Sequence, residues 1–80
     1  MKRRPETQPY TVTGRMSWSP FFGRTLYSGW DIDDAVRMAR SIAVSDSRYV
    51  AVAVSRGDAH IMTIDRMESR FGHTFSERWA

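Results

Sequence analysis

Eighty residues without a single cysteine leave room for one small domain, with neither disulfides nor a thiolate metal site to reinforce it. A hydrophobic content of 41% excludes a disordered chain, and no apolar run nears the ~20 residues of a membrane-spanning helix. The net charge of +3 belongs to Lys2, Arg3 and Arg4; apart from these, nine Arg face nine Asp and Glu, so the rest of the chain is formally neutral. Nothing in the sequence resembles a signal peptide, and the expected location is cytoplasmic.

Residues 1–9 lack apolar periodicity and read as a basic, flexible N-terminal tail. From Tyr10 to Trp18, Tyr10, Val12, Met16 and Trp18 alternate with Thr11, Thr13, Arg15 and Ser17, which is a strand with one buried face. Ser19-Pro20 breaks it, and Phe21–Ser28 returns as a second strand. A symmetric loop pairs Arg15 with Arg24 and Val12 with Tyr27. That register places Tyr10, Val12, Met16 and Tyr27 on one face and Arg15, Phe22, Arg24 and Leu26 on the other.

Asp31 is a natural N-cap, with Asp33 and Asp34 in the first turn complementing the helix dipole. Ile32, Ala35, Val36, Ala39, Ile42 and Ala43 line one helical face, and the run stops at Ser45-Asp46-Ser47. Arg48–Ser55 is a β-branched strand, Arg56-Gly57-Asp58 a tight turn, and Ala59–Ile64 a fourth strand. Asp65 and Glu68 have capping-box spacing, Met67 and Phe71 lie one turn apart, and Gly72 is a helix stop. A short C-terminal helix is therefore expected, followed by a tail at 73–80 that either docks or frays. The expected fold is α+β, a ββαββ domain over 10–72 whose antiparallel sheet consists of two hairpins under one helix.

Both faces of the second hairpin read as apolar: Val50, Val52, Val54 and Ile61 on one, Tyr49, Ala51, Ala53, Met62 and Ile64 on the other. One helix covers only one face, and large uncovered apolar patches mark interaction sites. Either Met67, Phe71, Phe75 and Trp79 fold back over the second face, or a homodimer forms through Tyr49, Ala51, Ala53, Met62 and Ile64. The first hairpin concentrates Trp18, Phe21, Phe22, Tyr27 and Trp30. Exposed aromatics beside Arg have the composition of interface hot spots, so Arg15, Phe22, Arg24 and Trp30 are the candidate partner-binding residues, with Arg37 and Arg40 of the helix as a second set.

Catalytic chemistry is poorly supplied. Asp58 and His60 accompany no nucleophile elbow, Asp31-Ile32-Asp33-Asp34 lacks the glycine and distal acid of a calcium loop, and no glycine-rich phosphate cradle occurs. A non-enzyme with no cofactor and no metal is expected. A small nucleic-acid-binding module, using stacking aromatics and the basic tail, is the alternative reading, with an antitoxin-like structural homodimer as a third.

The Tyr-led strand, the hairpin, the Asp-capped Ala-rich helix and Tyr49-Val50-Ala51-Val52 together span Tyr10 to Ile64. In plan this stretch resembles small phage-encoded anti-CRISPR proteins that inhibit type I systems. The resemblance is one of architecture and transfers no functional residue. It implies an inhibitor in a bacterial host cell that binds a Cascade-like effector complex and blocks target-DNA binding by occlusion.

Overall fold

Period-two alternation and one strongly amphipathic segment produce six elements in the computed structural model, which describes residues 8–80. They are β1 (Tyr10–Met16), β2 (Arg24–Gly29), α1 (Ile32–Ser45), β3 (Tyr49–Arg56), β4 (Ala59–Ser69) and β5 (Gly72–Trp79). The strands form one antiparallel sheet in the order β2-β1-β3-β4-β5, crossed on one face by α1. The fold is thus a small α+β domain of five strands and one helix. Of the expected basic tail, residues 1–7 lie outside the described residues. Gln8 is held at the β3–β4 turn, where its carbonyl accepts from Arg56 Nε at 3.0 Å.

The helix forms where its caps and periodicity place it. The Asp31 carboxylate accepts from the Asp33 N–H at 2.8 Å, satisfying one orphan donor of the first turn. Ala35, Ala39 and Ala43 repeat every four residues against the sheet, and their small side chains let the helix approach Val52 and Val54 closely. Val12, Val52, Val54 and Met62 are fully buried beneath it. Burial of each such side chain stabilises the fold by about 1.5–3 kcal/mol.

No C-terminal helix exists. Asp65 and Glu68 belong to β4, which runs on to Ser69 and pairs in unbroken register with β5 through Ser69↔Gly72. Asp65 does not cap a helix; its carboxylate accepts from Arg78 Nε at 2.7 Å across the two strands. Gly72 has φ near 120°, a conformation that a helix stop and a hairpin turn both demand of glycine. The Ser69 hydroxyl closes the turn by donating to the Gly72 carbonyl at 3.2 Å and accepting from the Phe71 N–H at 3.3 Å.

Two single-residue bulges redistribute the apolar faces. Val54 pairs with Met62 while Ser55 pairs with His60, so Ile61 is the extra residue and the parity of β4 flips after it. Met62 and Ile64 therefore join Val52 and Val54 under the helix, where Val50 and Ile61 had been expected. A second bulge leaves Val50 unpaired between Ala51, opposite Arg15, and Tyr49, opposite Met16, which turns Tyr49 to the helix side as well. Of the five residues expected to form a self-association face, only Ala51 and Ala53 stay on the open side. Their neighbours there are small or polar: Thr13 and Thr63 flank Ala53, and Arg15 and Asp65 flank Ala51. The expected apolar excess on that face is absent.

Candidate partner-binding surface

The loop between β1 and β2 carries the most exposed aromatic pair near the core. The β1–β2 ladder ends at Gly14↔Arg24, and Ser19 fixes the loop beyond it from three directions. Its N–H donates to the Met16 carbonyl at 3.1 Å, its carbonyl accepts from Arg15 Nη1 at 3.1 Å, and its hydroxyl accepts from the Phe21 N–H at 3.2 Å. Trp18 and Phe21 then project with 80% and 74% of their surface in solvent, while Phe22 is exposed to a lesser degree. Holding large aromatic surface in water by a hydrogen-bonded loop costs hydrophobic free energy that a partner would recover.

Beneath these rings lies an apolar hollow of about 260 Å³, with Met16, Trp18, Phe21 and Tyr49 in its walls and Arg24 at its rim. Gly14 makes the floor possible: a Cβ there would press on the Tyr49 ring, 2.6 Å from Cε1, and lie 3.0 Å from Leu26 Cδ1. A neighbouring concavity shares Arg24 and Tyr49 and adds Ile42, Asp46 and Arg48. Arg48 is neutralised locally, because Nη2 and Nε donate to the Asp46 carboxylate at 2.7 and 3.0 Å. Those bonds, with the Arg48 backbone N–H, push the Asp46 carboxyl down to about 2. Arg24 has no ion-pair partner among the described residues and is the rim's uncompensated positive charge.

The other expected contact residues do not gather here. A bulge at Leu26 shifts the hairpin so that Arg24 pairs with Gly14 instead of Arg15, while from Val12, opposite Tyr27, back to Tyr10 the expected register is kept. Arg24 consequently faces the helix side, and Arg15 faces the open side beside Ala51. Leu26, expected outward with them, packs on the core. Trp30 follows Gly29, which pairs with Tyr10 at the far end of β1, about 20 Å from the loop at ~3.3 Å per residue. Arg37 is paired with Asp34 on its own helix at 3.5 Å. Arg40 is committed to Glu77 of β5, with Nε and Nη2 donating at 2.6 and 2.9 Å. That bidentate bond holds the Glu77 carboxyl below its usual range and raises Arg40.

Trp18, expected in a strand, lies in the loop, and Tyr49, expected in a dimer face, lines the hollow. The available signal for the hollow was Gly14 itself, an interruption of an apolar face that signals close approach of another group. His60 contacts the Thr63 hydroxyl at 2.7 Å, not Asp58, and His73 contacts Arg66 Nη2. Among the described residues no cluster of three His, Cys, Asp or Glu side chains is arranged to hold a metal ion, and no helix is long and apolar enough to cross a membrane. Comparison of the chain with known protein families, curated proteins and solved structures yields no match.

Proposed function

We propose that the chain is a non-catalytic protein-binding inhibitor that acts by occlusion, with the loop from Trp18 to Phe22 as its anchor. The observation that carries this reading is the pairing of Trp18 and Phe21, both mostly in water, with an open apolar hollow rimmed by Arg24. Such a site suits an apolar side chain flanked by a carboxylate: the chain's aromatics supply contact area and Arg24 supplies the charge. Stoichiometric occlusion needs no turnover, so a small rigid domain is sufficient.

The partner class implied by the architectural resemblance is a type I CRISPR effector complex in the bacterial cytoplasm, blocked from its target DNA. The test is target-DNA binding by a purified complex of that type, with the wild-type chain and a Trp18→Ala/Phe21→Ala variant titrated in. Inhibition by the wild type and its loss in a folded variant support the reading. Equal inhibition by both removes the loop, and no inhibition by either removes this partner.

One observation favours nucleic acid as a second reading. The β4–β5 ribbon carries exposed Arg70 and His73 beside Phe71, which is 91% exposed at its tip, a combination able to contact phosphates and stack on a base. Binding to oligonucleotides that weakens steeply with salt and is lost in Phe71→Ala/Arg70→Ala would favour it.

A further inference from the structure

The two edges of the sheet are built differently. β2 is a short strand interrupted by its bulge at Leu26, features that spoil an edge for pairing. β5 pairs with β4 without a bulge over all eight of its residues and contains no proline and no lysine. The Ala80 N–H donates to the Ile61 carbonyl at 2.9 Å. Given the regular register, this makes Arg78, Ser76 and Thr74 the residues whose backbone groups turn toward β4. Those of His73, Phe75, Glu77 and Trp79 therefore point away from the sheet. Charge does not guard this edge, because Glu77 is bound by Arg40 and Arg78 by Asp65.

We infer that β5 is the contact edge of a homodimer, in which β5 of a second copy adds antiparallel and the two five-stranded sheets become continuous. This inference is independent of the loop surface and does not rest on the inhibitor reading. The choice of a second copy follows from the strand's own sequence. A two-fold axis normal to the sheet pairs only residues of like parity, so the outward-facing His73, Phe75 and Glu77 meet one another. Centring on Phe75 sets Phe75 against its symmetry mate and His73 against Glu77 of the second copy, twice over. Centring on Glu77 would oppose two carboxylates and is disfavoured.

Arg66, opposite Phe75 on β4, has Nε and Nη1 buried without a hydrogen-bond partner among the described residues, while its Nη2 contacts His73 at 2.7 Å. In the Phe75 register Glu77 of the second copy, its carboxylate held by its own Arg40, arrives beside the Arg66–His73 pair. Phe75 and Trp79, left partly in solvent on the helix side of β5, are covered by the same event.

The experiment is sedimentation equilibrium on the full chain from about 5 to 500 µM, the range expected for an interface at the small end of the scale. The wild type is compared with a synthetic chain N-methylated at Phe75 and with Phe75→Lys. N-methylation removes an outward N–H and leaves every β4 bond in place. The expected result is a wild-type mass rising from 9.3 kDa toward twice that value, with both altered chains remaining at 9.3 kDa and retaining the wild-type circular dichroism. A wild type that stays monomeric throughout, or a folded Phe75→Lys or N-methylated chain that still dimerises, overturns the inference.

Discussion

Replacing Gly14 by Ala adds one methyl group where the chain has no room for it. The new Cβ would press on the Tyr49 ring, 2.6 Å from Cε1, and sit 3.0 Å from Leu26 Cδ1. Tyr49 is only 3% exposed and belongs to the core cluster, so it yields only by moving its neighbours. Overpacking of this kind costs about 1–3 kcal/mol, against about 0.4–1 kcal/mol gained by restricting the unfolded chain. The net loss expected is about 1–2 kcal/mol, a fall in Tm of roughly 5–15 °C for a domain of this size. Thermal unfolding followed by circular dichroism measures it. Gly23→Ala is the control, because nothing lies within 4 Å of its Cβ position, and it should shift stability by no more than about 0.5 kcal/mol. The decisive comparison is Gly14→Ala in a Tyr49→Leu background, where most of its cost should disappear as a coupling of about 1 kcal/mol or more. If the cost is unchanged there, the clash with Tyr49 is not its cause.

Met62 is fully buried between the helix and the sheet, and Met62→Ala should destabilise by about 2–5 kcal/mol in urea titration, as large-to-small core changes do. A loss below 1 kcal/mol on the same scale would mean that β4 keeps its unflipped parity, with Ile61 inside instead. Asp46 answers to pH. Its folded-state carboxyl lies at about 2, below its ordinary value of 3.8, so its pairing with Arg48 contributes fully above the ordinary value and is lost as pH falls through about 2. Asp46→Asn should therefore lower Tm near neutrality by a margin that closes at about pH 2; a margin independent of pH would contradict this origin.

The helix was legible because its signals are local. Asp31, the acidic first turn and the repeat of Ala35, Ala39 and Ala43 lie within a few turns of one another and need no distant partner. The Gly57-Asp58 turn was legible for the same reason; within it Gly57 takes a positive φ of 58° and Asp58 does not, as a type II′ turn requires. The segment after Ile64 misled because its local cues have two uses. Capping-box spacing and a glycine fit a helix, yet they fit equally well a hairpin whose stabilisation comes from pairing with a strand several residues away. In the candidate site, exposure of aromatics in the first hairpin was readable from their density, whereas the gathering of Arg15, Phe22, Arg24 and Trp30 was not.

Composition and periodicity alone determined a small α+β chain, its helix capped by Asp31, a body free of net charge and a surplus of aromatics. Tertiary structure alone decided which side chains share a face. Strand parity is a binary quantity, and each one-residue bulge inverts it for everything beyond, so Ile61, Val50 and Leu26 moved Met62, Ile64, Tyr49 and Arg24 to the side opposite that expected. A bulge is chosen by how the assembled sheet packs against α1, and that choice is not written in the local sequence.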